Sequence, residues 1–205
     1  MSVTASRAIA FRSKAVGTGF LGVITPLYNR DYWFLLSTAL ASALEGKGSA
    51  LMNLADAYAS RNPDGSYADN TIEANYSINC LDDPTSVPFA RVPSLFDEFE
   101  EASPTFGRIF AWGMTGCRGI DVTSSEEPLD IRAEGAAPIL VLGTSRDPAT
   151  PLKWARALSA QLDSGVLVER DGDGHTAYNS DNQCIDSIVE DYLLDGDVPA
   201  DGTTC

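Results

Sequence analysis

Between Pro138 and Leu194 the chain alternates two short apolar runs with two amphipathic ones, and this alternation restricts the possible folds more than any other feature. "PILVLG" is a continuous apolar run bounded by Pro138 and Gly143, the pattern of a strand buried on both faces. In "TPLKWARALSAQL", Thr150 is expected to cap a helix whose first position is Pro151. Trp154, Leu158 and Leu162 then recur every four residues, on the face predicted to pack against a sheet. "GVLVER" reads as a second strand. Ser180 to Gln183, "SDNQ", has the form of a capping box. It opens a last helix with the apolar stripe Ile185, Ile188, Val189, Tyr192 and Leu193. Strand, helix, strand, helix with short loops predicts parallel strands joined by a right-handed crossover, hence an α/β fold. Two such strands are few for a parallel sheet, so one edge of "PILVLG" is expected to lie open and ready to pair.

The preceding residues follow a different rule. Residues 1–115 read as a helical region, 116–137 as a connector containing Gly116, Gly119, Pro128 and Gly135, and 138–205 as the α/β part. Asp31 is placed to cap "YWFLLSTALASALEG" and Gly46 to end it. A second helix fits "SALMNLADAYASR", with Leu51, Leu54, Ala55 and Tyr58 on one face. "NPDGSY" is a turn, a third helix covers "DNTIEANYSINC", and a fourth begins near Ser94, is interrupted at Pro104 and ends near Gly113. The start of the chain carries Arg7, Arg12 and Lys14 ahead of a Gly-rich apolar run, Ala15 to Ile24. Lacking a small-residue cleavage site, it reads as folded chain rather than a signal peptide. No run approaches the roughly 20 apolar residues that span a bilayer.

A formal net charge of -15 repels phosphate backbones and anionic lipid, which argues against nucleic-acid and membrane-surface partners and favours cationic ones. The four cysteines, Cys80, Cys117, Cys184 and Cys205, show no CxxC spacing, and the single histidine cannot complete a zinc quartet with them. Neither a metal nor another cofactor is expected. Two disulfides in an oxidising compartment are the simplest account. Of three possible pairings, Cys80–Cys117 with Cys184–Cys205 is the most economical.

Reactive groups in parallel α/β sheets gather beyond the carboxyl ends of the strands. Asp147 follows the first strand in "GTSRDPATP", and the lone imidazole, His175, follows the second in "GDGH". Neighbouring strands lie close to 5 Å apart, so their exit loops can bring carboxylate and imidazole together. An aspartate accepting Nδ1–H would fix the tautomer and leave Nε2 as a general base.

The segment from "PILVLGTSRDPATPLKWARALSAQL" through "VLVERDGDGHTAYNSDNQCIDSIVEDYLLDGDVPADGTTC" closely resembles the carboxyl-terminal part of the secreted actinobacterial tripeptidyl aminopeptidases. These are α/β-hydrolase-fold serine peptidases of the prolyl-aminopeptidase clan. The resemblance implies that Asp147 is the triad acid and His175 the triad base. It supports Cys184–Cys205 and, through the looser likeness of "LADAYASRNPDGSY" and "INCLDDP" to the family's cap, Cys80–Cys117. In such enzymes acidic cap residues can hold the substrate's amino terminus, a role for which Glu73, Asp82 and Asp83 are the candidates. The implied partner is a peptide with a free amino terminus, and the implied location of the full-length relative is extracellular. The chain departs from the family in its amino-terminal half: it contains no GxSxG, the strained turn that carries the nucleophilic serine, and the oxyanion-hole loop, the early strands and an export signal are missing with it. The expected protein is therefore the cap and carboxyl-terminal part of a serine hydrolase, inactive alone and completed by a missing amino-terminal half of the core. A binding module or pseudoenzyme, and an esterase on the same fold, are the competing readings.

Overall fold

The computed structural model describes residues 16–120, 122, 124 and 129–205; Arg7, Arg12 and Lys14, and Pro128 of the connector, lie outside the described residues. The helices are α1 (Val16–Ile24), α2 (Trp33–Leu44), α3 (Ser49–Tyr58), α4 (Thr71–Asp82), α5 (Phe96–Ala102), α6 (Gly107–Gly113), α7 (Leu152–Gln161) and α8 (Gln183–Leu194). The strands are β1 (Ile139–Arg146), β2 (Gly165–Asp173) and β3 (Thr203–Thr204). Contacts divide the chain into two compact units, one formed by residues up to Ala55 with Leu129–Cys205, the other by Asp56–Pro128. This division does not follow the composition shift, because the helices before Ala55 group with the α/β part.

In the first unit β1 and β2 pair in parallel, from Ile139 opposite Gly165 to Thr144 opposite Arg170. Both strands outlast their apolar runs. Arg146 explains the extension: its guanidinium bonds the Asp171 carboxylate at 2.8 Å and that of Asp173 at 2.6 Å, binding the polar strand ends together. Arg146 stands opposite Asp173, so β2 spends one more residue than β1 over this stretch, a local bulge. A bulge re-aims the chain beyond it, and the two loops leaving this one carry Asp147 and His175.

Helix α7 crosses between the strands, but on a different face from the one its large apolar residues suggested. Trp154 is 55% and Leu158 46% exposed. The contact is made instead by Leu152 and Ala155 over Gly143, where an added Cβ would come within 2.6 Å of Leu152 Cδ1 and 2.8 Å of Ala155 Cβ. A small-residue face against a glycine lets helix and strand approach more closely than a Trp–Leu ridge could. Thr150 does not cap α7 either. Pro151 occupies the cap position without a side-chain bond, and the Thr150 hydroxyl goes to Asp147.

Helix α8 supplies the core on one face of the sheet: Ile185 and Val189 pack with Val168 and Ala177, and Leu140, Leu142 and Ile188 close around them. Its cap is Asn182, whose Oδ1 accepts the Ile185 N–H at 3.1 Å; the Ser180–Gln183 capping box does not form. Tyr192 donates its hydroxyl to the Pro138 carbonyl at 2.7 Å, while Leu193 is left exposed. A third strand, too short to leave a sequence pattern, covers the outer edge of β2. Thr203 and Thr204 pair in parallel with Val168 and Glu169, and the disulfide Cys184–Cys205 ties this strand end to α8. Among the described residues no strand covers the β1 edge.

The amino-terminal part of this unit runs through α1, two 3₁₀ turns (Thr25–Tyr28 and Arg30–Tyr32), α2 and the start of α3. Asp31 does not cap α2, whose cap position is Tyr32 without a side-chain bond; Asn29 caps the preceding 3₁₀ turn, its side chain accepting the Asp31 N–H at 2.9 Å. Gly46 ends α2 at φ +83°, where glycine is free of strain. On α3 the buried residues are Met52 and Ala55; Tyr58 stays exposed.

The second unit is helical. Arg61 and Tyr67 bridge across the turn containing Pro63 and Gly65, and α4 comes next. The fourth helix breaks at Pro104 as expected, into α5 and α6, and a 3₁₀ segment, Phe89–Leu95, which contains Pro93, leads into it. Val92, Ala111 and Cys80 are its most buried residues, and Cys80 is bonded to Cys117. None of the helices among the described residues is long and apolar enough to cross a membrane.

Candidate active site

Asp147 leaves β1 into "DPATP", a loop that turns back on the carboxylate. Oδ1 accepts the N–H groups of Ala149 and Thr150, each at 2.8 Å, and Oδ2 accepts the Thr150 hydroxyl at 2.9 Å. The side chain is 3% exposed. Burial acts to raise its pKa, but the Thr150 and Ala149 N–H groups, His175 and the Thr150 hydroxyl together outweigh burial and hold it below the usual carboxylate value. Asp147 is therefore ionised at neutral pH.

His175 comes to that carboxylate from the next strand. Its Nδ1 lies 2.9 Å from Oδ2 and 3.0 Å from Oδ1 of Asp147. An ionised carboxylate can only accept, so Nδ1 facing it carries a proton, and in the neutral ring that tautomer leaves the lone pair on Nε2. The loop bearing the imidazole is held by bonds that sequence alone did not reveal. The Thr176 N–H donates to Asp147 Oδ2 at 3.2 Å, and buried Thr144 donates its hydroxyl to the Thr176 carbonyl at 2.8 Å. Tyr28 accepts the His175 backbone N–H at 2.8 Å and sets its ring edge-on to the imidazole, centroids 5.2 Å apart. Gly174 is required at that contact: its φ is +103°, and a Cβ would stand 2.9 Å from the Tyr28 carbonyl oxygen. Only "DPATP" carried a readable sign of this, since an Asx turn puts a carboxylate on the following N–H groups.

A polar cavity of about 570 Å³ opens beside His175, between Tyr28–Asp31 on one side and Asp173–Asp181 on the other. A second, apolar groove of about 370 Å³ runs along β1 past Leu142, Trp154 and Leu158 to Asp147. In the other unit, Asp82 and Asp83 border a cleft beside the Cys80–Cys117 disulfide, together with Asn75, Tyr76 and Asn79. Hydrogen bonds from Thr85 lower the pKa of Asp83. Glu73, in the first turn of α4, is exposed and is not among the residues of that cleft. No cluster of His, Cys, Asp or Glu among the described residues is arranged to hold a metal ion.

The sign of Asp147's pH dependence is set by its depressed pKa. Its contribution to stability is present above the unfolded value of 3.8 and is lost as pH falls through the lower folded value. The urea midpoint of Asp147→Asn is expected to lie below the native one at pH 7 and to converge on it below pH 3.8. A gap that stayed constant into that acid range would contradict the assignment of these bonds to the ionised form.

A buried aspartate bonded to an imidazole, at the carboxyl ends of two adjacent parallel strands packed by helices, defines the carboxyl-terminal part of an α/β hydrolase. The family model for TAP-like proteins matches residues 103–205, and the chain belongs to that family. It is 32% identical to Serine protease Hip1 of Mycobacterium tuberculosis over 197 residues, 95% of this chain and 38% of the relative. It is 31% identical to Carboxylesterase B of the same organism over 188 residues, 90% of this chain and 36% of the relative. Over 97 residues it is 33% identical to Tripeptidyl aminopeptidase of Streptomyces coelicolor, 46% of this chain and 18% of the relative. The chain thus spans well under half the length of these curated relatives. They are hydrolases and peptidases by name, and this family is one of serine hydrolases.

Proposed function

We propose that this chain supplies the acid and the base of a serine peptidase that releases short peptides from free amino termini. The observation that carries the reading is the 2.9 Å contact between His175 Nδ1 and Asp147 Oδ2, with the carboxylate itself fixed by three further donors of its own loop. Asp147 orients the imidazole and balances the charge it acquires. His175 Nε2 takes the proton of an attacking serine hydroxyl, then returns it to the leaving amine. Water repeats the cycle on the acyl-enzyme. The serine comes from a GxSxG segment outside these 205 residues, on an amino-terminal half whose sheet continues past the open β1 edge. In this reading residues 1–115 serve as the cap. Glu73, Asp82 and Asp83 are the acidic groups proposed to meet the substrate's ammonium, and the two disulfides support an extracellular setting.

An esterase is the second reading, favoured by the likeness to Carboxylesterase B, since an acid–base pair does not choose amide over ester. The test is to join this chain to the polypeptide encoded directly upstream and assay aminoacyl-peptide and acyl-ester substrates side by side. Peptide release at a kcat/KM well above that for esters is expected. Ester turnover alone would assign the esterase, and binding without turnover of either would leave a non-catalytic module.

A further inference from the structure

We propose that Arg170 is a positioning residue for His175, a guanidinium staple that closes the loop on which the imidazole stands; this rests on the acid–base reading of Asp147 and His175. Arg170 is the last residue of regular β1–β2 pairing before the bulge. Its side chain does not reach outward to a carboxylate. It folds along its own loop, donating from one terminal nitrogen to the Asp173 carbonyl at 3.0 Å and from the other to the Ser180 carbonyl at 3.1 Å. Those carbonyls mark the two ends of the turn that contains His175. The guanidinium lies flat on Gly172, where an added Cβ would stand 2.8 Å from Cζ and 3.0 Å from Nε. Its Nε is buried and has no acceptor among the described residues.

The loop that Arg170 spans explains the arrangement. Within and just after the turn the backbone enters the left-handed region four times: at Gly174 (φ +103°), Thr176 (+71°), Asn179 (+56°) and Asp181 (+53°). Three of these residues carry side chains, and threonine is branched at Cβ, so the conformation is held by its surroundings rather than by local preference. Arg170 bonds both flanks with one rigid fork, which a lysine's single ammonium cannot reproduce. Arg170 thereby adds to the bonds from Tyr28 and Thr144 that hold the loop on which His175 meets Asp147.

His175 is the only histidine of the chain, so its ring nitrogens give unambiguous signals in ¹⁵N NMR of the full 205-residue protein. Native protein is expected to show the Nδ1–H tautomer, and Asp147→Asn to lose it. In Arg170→Met and Arg170→Lys the tautomers are expected to mix. The His175 backbone amide should then exchange on the order of ten times faster, the size of effect that loss of charge-assisted bonds produces. Arg156→Met is the control, because Arg156 pairs with Glu169 at 2.7 and 2.8 Å on β2 and bonds nothing in the loop. It is expected to lower stability while leaving the His175 spectrum unchanged. Retention of the native tautomer and exchange rate in both Arg170 variants would overturn the proposal while sparing the Asp147–His175 reading. Unfolding of both variants would assign Arg170 to the stability of the sheet and overturn it too. Absence of a fixed tautomer in native protein would remove the reading itself.

Discussion

Asp147→Asn, placed in a polypeptide that joins this chain to its proposed amino-terminal half, is expected to lower kcat about 10⁴-fold with little change in KM, the size of effect seen when a triad acid becomes an amide. The geometry gives the reason. Two backbone N–H groups, from Ala149 and Thr150, point at Oδ1, so the oxygen of the introduced amide takes that position. Its NH₂ then falls at Oδ2, 2.9 Å from Nδ1. A ring nitrogen facing a donor must accept, which moves the proton to Nε2 and removes the base. KM is spared because Asp147 is buried behind the imidazole. A kcat reduced less than about tenfold would mean that the carboxylate merely completes a turn.

The second large effect concerns the chain terminus. Removing the Cys184–Cys205 disulfide, as the double alanine variant, is expected to cost about 3 kcal/mol by loop-closure entropy for a crosslink of this span. The bridge does more than shorten the unfolded chain. It holds Cys205 where its N–H donates to Glu169 and its carbonyl accepts from Asp171, both at 2.8 Å, so the outer edge of β2 is covered just before the bulge. Freeing it exposes that edge and loosens the strand that leads into His175. Urea unfolding of the oxidised native and the double variant measures the difference. A loss below about 1 kcal/mol would show that β3 and α8 hold the terminus without it.

The parallel pair was legible because its strands are unbroken apolar runs, a signal independent of context. Asp147 and His175 were legible because each directly follows such a run, where a parallel sheet collects its loops. The features that escaped depend on geometry that period and propensity do not carry. On α7, Trp154 and Leu158 dominate the pattern, whereas the close approach at Gly143 selects Leu152 and Ala155. Caps shift by one or two residues from their expected places because Asn29, Asp31, Thr150, Ser180 and Asn182 all have the chemistry of a cap, and only the local backbone decides among them. Strand β3 is two residues long. Tyr28 meets His175 across most of the chain's length, and no local pattern announces such a contact.

Asp147 and His175 are proposed to activate a serine on a GxSxG segment, which the 205 residues lack. Covalent labelling by a serine-reactive phosphonate tests this proposal most directly, read by intact mass on three samples: this chain alone, the joined polypeptide, and the joined polypeptide carrying His175→Gln. One adduct is expected, on the GxSxG serine, in the joined native polypeptide and none in the other two samples. Labelling of the 205-residue chain by itself, or an undiminished rate after His175→Gln, would contradict it.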